Sequence, residues 1–200
     1  MAEQKTLCDR NWESCTLNDV YLDVSKLKNE LDRAIQANID CKKLLLNDPI
    51  ISEIKAQIDF TDKRLNSKRI ELISFARAGI FDNLPLDTKW YRSQGLEASD
   101  IFSLYHIHDG EWIKKDKDGN DLKLVELGKE GKLEDLPRDW GAIILFGNNF
   151  QGAFTIIEGN HRLAYYYINK HTEPITSTIY LAISPSYYLW HNHWSKPNDN

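Results

Sequence analysis

The most constraining feature of this chain is a β-branched and aromatic run that stops at a glycine and continues directly into an aromatic-rich helical pattern. It occupies residues 154–168, with the glycine at Gly159. A short run rich in Thr, Ile and Phe predicts a strand, and glycine permits a sharp turn after it. We therefore predict a strand, a turn over residues 158–162 and a helix over residues 160–170.

The residues at this turn have the chemistry of an anion-binding site. The N–H groups that open a helix lack acceptors within it and lie at the positive end of its dipole. Gly159, Asn160 and the N–H groups that follow are therefore candidates for binding phosphate oxygens. Arg162 can bind two such oxygens, and His161 can donate a hydrogen bond or a proton. Glu158 can hold a metal ion, orient His161 or act as a base.

A structural corner is the alternative for the same residues. In that alternative Arg162 forms a salt bridge with Glu158, and His161 is half-buried at a tight strand-to-helix connection. Tyr165, on the predicted helix, is a candidate to flank a pocket and stack on a base or a sugar, although such rings more often pack in a core.

Composition limits the classes of function. The 200 residues carry a formal net charge of −5, so we do not expect a duplex nucleic acid partner. No apolar stretch reaches the roughly 20 residues that span a bilayer, and the start of the chain has no secretory signal. We expect a cytoplasmic protein without a membrane partner. Three scattered cysteines, Cys8, Cys15 and Cys41, predict reduced thiols rather than a disulfide framework.

Residues 1–80 have helical patterns. Leu27, Leu31, Ile35 and Ile39 recur every four residues and predict one face of a long helix, with Ser25 as its N-cap. These apolar faces predict packing surfaces within the protein. A protein partner or a second copy of the chain docking on the N-terminal helices is the alternative.

Two further helix starts are predicted in this region. Asp48 followed by Pro49 is typical of an N-cap with proline at the first helical position. Ser67 is the expected start of a third helix, which Gly79 would end.

Residues 81–200 carry the strand patterns. Trp90 and Tyr91 are expected to begin the sheet. Apolar and β-branched runs predict strands at residues 101–107, 142–146, 153–157 and 175–183. Asp118-Gly119 predicts a hairpin turn between residues 112–115 and 122–127.

The stretch from about Asp139 to Ser184 resembles the core of the ParB/sulfiredoxin-like superfamily. Members share a strand, a second strand ending in a glycine turn, a short signature, a helix and a closing strand. Sulfiredoxins carry Gly-Cys-His-Arg at the turn, ParB proteins carry Gly-Glu-Arg-Arg, and ParB-like free serine kinases carry Asp-Gly-His-His-Arg. Residues 158–162 of this chain, Glu-Gly-Asn-His-Arg, are most similar to the serine kinase signature.

The resemblance implies an α+β fold with a small mixed sheet and helices, here preceded by an N-terminal helical layer. It also implies that the turn and the helix start hold nucleotide phosphates. Asn160 stands where sulfiredoxin keeps its reactive cysteine, so repair of oxidised peroxiredoxin is not expected. The second arginine of ParB and a basic DNA-binding tail are missing, so chromosome partitioning is not expected either.

Two histidine pairs suggest a different chemistry. His106 and His108 would lie on one face of a strand, as metal ligands do, and His191 and His193 form a second pair in the tail. A zinc or iron site on these pairs would indicate a metal-dependent hydrolase or oxygenase. Histidines exposed at strand ends are the more common case.

The leading hypothesis is an enzyme that uses ATP or another nucleotide with Mg²⁺ and a small-molecule acceptor. It would transfer a phosphoryl group or hydrolyse a phosphate ester, as a phosphotransferase, nucleotidase or nuclease. Glu158, His161 and Arg162 would be catalytic, and Gly159, Asn160 and Tyr165 would bind the phosphate or nucleotide. A non-catalytic regulatory module that acts through protein partners is the alternative.

Overall fold

The structure is a computed structural model. It contains helices and a mixed β-sheet, which confirms the predicted α+β class. It describes residues 7, 10–57, 62–76, 81–101, 104–106, 141–151, 154–160, 162–163, 166 and 174–190. The chain divides into two units. The helical unit is Thr16–Asn83, and the sheet unit combines Met1–Cys15 with Leu84–Asn200.

The start of the chain belongs to the sheet unit. Strand β1, Glu13–Cys15, pairs antiparallel with β2, Lys89–Leu96, and Cys15 lies opposite Trp90. Composition placed the division of the chain at residues 80 and 81, with everything before it helical. Three strand residues are too few to leave a periodic pattern, so the sequence does not reveal β1.

The long helix predicted from Leu31, Ile35 and Ile39 is present over Lys28–Asp40, but the prediction that Ser25 caps it is wrong, because another helix precedes it and contains Ser25. Helix α1, Leu17–Lys26, begins at a capping box: Thr16 Oγ1 accepts from the Asp19 N–H at 3.3 Å, and the Asp19 carboxylate accepts from the Thr16 N–H at 2.8 Å. Ser25 lies inside α1 and donates to the Leu22 carbonyl. The extended backbone of Leu27, with ψ 112°, ends α1, and α2 follows over Lys28–Asp40.

The next two helices show one prediction confirmed and one wrong. Helix α3, Pro49–Ala56, has Asp48 as its N-cap, with the carboxylate 3.1 Å from the Ile50 nitrogen. Helix α4, Lys63–Ala76, begins four residues before the expected Ser67. Asp62 is the reason, because its carboxylate accepts from the Arg64 N–H at 2.9 Å and so satisfies the start of the helix.

Helices α1, α2 and α4 pack against one another through their apolar faces. The buried apolar residues of the three helices are Val20, Tyr21, Val24, Leu31, Ala34, Ile35, Leu65, Leu72 and Ile73. The buried amide of Asn38 joins two helices, because its Nδ2 donates to Ala34 O of α2 and to Leu72 O of α4. Among the described residues, no helix is long and apolar enough to cross a membrane.

The sheet unit contains a six-stranded sheet in the order β1-β2-β6-β4-β5-β3. Besides β1 and β2, its strands are β3 (Tyr105–His106), β4 (Ile143–Gly147), β5 (Thr155–Glu158) and β6 (Ile175–Ile183). The expected strands at residues 142–146, 153–157 and 175–183 are thereby confirmed to within two residues. Strand β4 is antiparallel to β5 and parallel to β6, and β3 is parallel to β5.

Both faces of the central strands are buried. On one face Ile143 and Leu145 of β4 join a cluster that includes Ile156, Leu163 and Tyr166. On the other face the ring of Phe146 meets the residues that follow β6: the rings of Tyr187 and Trp190 lie 4.9 and 5.0 Å from it, edge to face. Burial on two faces explains why β4 is continuously apolar in sequence.

The predicted strand over residues 101–107 is confirmed in part. Ile101 belongs instead to a short helix, α5, over Ala98–Ile101, and among the described residues of this range the strand, β3, comprises Tyr105–His106. Asp100 accounts for the helix, since its carboxylate accepts from the Glu97 N–H at 3.0 Å and from Arg10 at 2.6 Å. The hairpin expected within residues 112–127 lies outside the described residues.

Candidate functional site

The turn after β5 has the strand-to-helix geometry that the sequence predicted. Strand β5 ends at Glu158, Gly159 forms the corner, and Asn160, Arg162, Leu163 and Tyr166 are helical. The Leu163 N–H donates to the Gly159 carbonyl at 2.9 Å, which is the first hydrogen bond of the helix. Gly159 is therefore the N-cap, and the first N–H groups of the helix lie at the end of a buried strand.

Gly159 is required here for two reasons. Its φ of +102° is a conformation that residues with a Cβ rarely adopt. A Cβ at this position would also lie 3.3 Å from Ile143 Cγ1 and 3.5 Å from Arg162 Nη2. The missing side chain thus allows both the sharp turn and the close packing of Ile143 against it.

Asn160 contributes its side chain to the corner itself. The residue is 8% exposed, and its Nδ2 donates to the carbonyl of Ile156 at 3.1 Å. This bond ties the start of the helix back to β5. A phosphate-binding contribution of Asn160 would therefore come from its backbone, since the amide nitrogen of the side chain is directed at the strand.

Arg162 lies against the corner and is nearly buried. Its Nη2 donates to the carbonyl of Ala142 at 2.8 Å and to Glu158 Oε1 at 3.3 Å. The side chains of Arg162 and Glu158 are 12% and 13% exposed. The salt bridge of the structural alternative is therefore present, and the carbonyl before β4 provides a second acceptor.

The arrangement brings one positive and one negative side chain to the positive end of a helix. At a mostly buried position these opposite charges stabilise each other, and loss of one partner would remove that stabilisation from the other. Glu158 would be the carboxylate available to a divalent cation, at the cost of its contact with Arg162. Among the described residues, no group of three or more His, Cys, Asp or Glu side chains is arranged to hold a metal ion.

Several predicted site residues lie outside the described residues: His161, Tyr165, His108, His191 and His193. The backbone of His106 is described, and it is the last residue of β3, opposite Ile156. Because β3 and β5 are parallel, the carboxyl ends of both strands lie at the same end of the sheet. The end of β3 therefore lies beside the strand that leads into the Glu158 turn, which the sequence did not predict.

Nothing in the sequence marks Ala142 as a partner of Arg162. The acceptor is a backbone carbonyl, which every residue type has, so its role cannot be recognised from the residue type. It became visible only through the pairing of β4 with β5, in which Ile144 lies opposite Glu158. Apolar residues near a turn give no signal of this kind in a sequence.

A second polar cluster lies at the other end of β4. Ser184 donates to one oxygen of Asp87 through a very short hydrogen bond, and Ser186 donates to the other at 2.9 Å. These hydroxyl groups, Ser184 first, lower the pKa of Asp87 below its ordinary value. The Ser184 N–H donates to the Gly147 carbonyl, so the cluster fixes the turn after β6 to the end of β4. Its contacts are those of a structural clamp.

Comparison with known proteins adds no further assignment. No protein-family model, curated protein sequence or solved structure matches this chain at a significant level.

Proposed function

We propose that the protein binds a phosphate-bearing ligand, most specifically a nucleotide with Mg²⁺, at the Glu158–Arg162 turn. The observation that carries the proposal is the position of Arg162, whose guanidinium lies over the N-cap Gly159, 3.5 Å from the point a Cβ would occupy. A cation and a helix start directed at the same point form a common phosphate site.

The reaction that follows from this ligand is transfer of a phosphoryl group or hydrolysis of a phosphate ester. Arg162 would stabilise charge that develops on the transferred group, and His161 would serve as hydrogen-bond donor or acid. Glu158 would orient groups, bind Mg²⁺ or act as a base. The ParB/sulfiredoxin-like resemblance supports the same assignment, with Gly159 and Asn160 contributing through the backbone and Tyr165 against the base.

A non-catalytic binding module is the second candidate function. The ion pair between Arg162 and Glu158 favours it, because it engages both charged groups without a ligand. In this case the N-terminal helices would dock a protein partner or a second copy of the chain. Turnover of a nucleotide would exclude this candidate.

The test is a thermal-shift titration with ATP, ADP, CTP, GTP and pyrophosphate, with and without Mg²⁺. A ligand at a hundred times its dissociation constant stabilises the protein by about 2.7 kcal/mol, which raises Tm by a few degrees. The comparison variant is Arg162→Lys, which keeps the charge but removes the planar fork. A selective shift that is reduced in Arg162→Lys would support the proposal, and no shift with any ligand would refute it.

The metal-dependent alternative has its own test. A hydrolase or oxygenase that uses the histidine pairs would contain stoichiometric zinc or iron after purification, and EDTA would abolish its activity. Elemental analysis of the purified protein measures this directly. A metal-free protein that still binds nucleotide would leave the phosphate proposal in place and remove this one.

A further inference from the structure

One nitrogen of Arg162 has two acceptors of different character. The carbonyl of Ala142 lies 2.8 Å from Nη2, and the carboxylate of Glu158 lies 3.3 Å from the same atom. Charge-assisted N–H···O bonds are commonly about 2.7–2.9 Å long. The neutral carbonyl therefore makes the closer contact, and the carboxylate is the looser partner.

The two acceptors also differ in their freedom to leave. The Ala142 carbonyl is part of the backbone that leads into β4, so it cannot move without the sheet. Glu158 is the last residue of β5, and its carboxylate is carried on a side chain that can rotate without moving the strand. The carboxylate is therefore the acceptor that a dissolved anion can replace while the carbonyl continues to hold the guanidinium.

We propose that Glu158 is an internal competitor: its carboxylate occupies the place beside Arg162 that the anionic group of the ligand takes. This inference rests on the proposed function. Ligand binding then exchanges one anion for another, with Arg162 held in place by Ala142 throughout. The ion pair is the ligand-free state of the site.

The exchange also defines the class of ligand. A monocarboxylate would replace Glu158 with a group of the same charge and the same number of oxygens, and so would gain little. A phosphate group carries a charge of about −1.5 to −2 at neutral pH and three acceptor oxygens. The site should therefore select phosphate or pyrophosphate groups over carboxylates.

The test is the effect of Glu158→Gln on the binding of inorganic phosphate and pyrophosphate without divalent cations, measured by isothermal titration calorimetry. Glutamine keeps the size and an acceptor oxygen but removes the charge that opposes the ligand. We expect Glu158→Gln to bind each probe about fivefold or more tightly than the unmodified chain. That factor corresponds to two unit charges about 4 Å apart even in bulk water.

Two controls make the result specific. Glu13→Gln removes the same charge from β1, where Glu13 pairs with the exposed Arg92. Strand β1 is separated from β5 by three other strands of the sheet. This variant should leave the affinity unchanged. Acetate, added at the same ionic strength, should not bind.

The outcomes separate this inference from the proposed function. Weaker binding by Glu158→Gln would show that Glu158 positions Arg162, which overturns the competitor while the phosphate site stands. Absence of binding in every variant would overturn both, and acetate binding equal to phosphate would overturn the ligand class. If Glu158→Gln does not fold, Glu158→Asp is the substitute, since its shorter side chain withdraws the carboxylate and should also tighten binding.

Discussion

The Nη2 atom of Arg162 lies 2.8 Å from the carbonyl oxygen of Ala142, so the start of a helix is tied to the start of β4. The guanidinium lies against the corner at Gly159, 3.5 Å from the point that a Cβ would occupy. A residue proposed to bind ligand is thus also part of the framework of the sheet unit. Substitutions of Arg162 must therefore be judged on stability and on binding together.

The first prediction follows from this double role. Arg162→Ala should lower the free energy of unfolding by about 2–3 kcal/mol, because hydrogen bonds of charged groups are lost and Glu158 remains without that partner. Arg162→Lys should cost less, since the charge stays. Urea denaturation of both variants measures the difference. Equal stability of Arg162→Ala and the unmodified chain would contradict the role of Ala142 as an anchor.

The second prediction concerns the corner glycine. Gly159→Ala should destabilise the protein by about 1–3 kcal/mol, since φ is +102° and the new Cβ would lie 3.3 Å from Ile143 Cγ1. It should also weaken phosphate binding, because strain at the corner shifts the helix start whose N–H groups are proposed to bind the ligand. Denaturation midpoints and the phosphate titration check the two effects. A variant that unfolds at the same denaturant concentration as the original would contradict this account.

The third prediction concerns the capping box that begins α1. Thr16→Ala should cost about 1 kcal/mol, because it removes the acceptor for the Asp19 N–H. Ser25→Ala, inside the same helix, should cost less, because alanine removes the buried hydroxyl together with its bond to Leu22 and is favoured inside a helix. Circular dichroism during urea unfolding compares the pair. A larger loss in Ser25→Ala than in Thr16→Ala would contradict the role of Thr16 as the cap.

The fourth prediction is a pH dependence that arises at Asp87. Hydrogen bonds from Ser184 and Ser186 lower the pKa of Asp87 in the folded protein relative to the unfolded chain. The unfolded state therefore binds the proton more readily in acid, and this contribution to stability is present above the ordinary pKa of about 3.9. It should be lost as the pH falls through the lowered value.

Asp87→Asn removes this titration. We expect the Tm of the variant to be lower at neutral pH and to fall less steeply between pH 5 and pH 2. Differential scanning calorimetry across this range measures both. If the original chain and the variant lose Tm in parallel, the clamp does not depend on the charge of Asp87.

The fifth prediction concerns the residues after β6. Trp190 is fully buried and packs edge to face on Phe146, so Trp190→Ala should cost about 3–5 kcal/mol. The neighbouring Leu189 is 57% exposed, and Leu189→Ala should stay within about 0.5 kcal/mol of the original. Thermal and urea unfolding compare them. Similar losses in both variants would show that the contact with Phe146 is not the source of stability.

Local patterns were sufficient for much of the fold. The apolar runs at β4, β5 and β6 and the glycine at residue 159 predicted strands and a strand-to-helix turn, because steric preferences and periodicity act over a few neighbouring residues. The N-cap at Asp48 was predictable for the same reason. The N-cap predicted at Ser25 was wrong, because Ser25 lies inside α1 and α2 begins after the extended backbone of Leu27.

Tertiary structure decided what local patterns do not contain. The three residues of β1 are a strand because they pair with β2, 75 to 79 residues later in the chain. Arg162 has Ala142 as its acceptor because β4 and β5 are antiparallel neighbours. The acceptor is a backbone carbonyl, and its position cannot be read from the types of the residues. The residue types at the turn are common to a phosphate site and a structural corner. The sequence offered the ion pair of Arg162 and Glu158 only as an alternative, and the distance and burial of the two side chains decided that it is present.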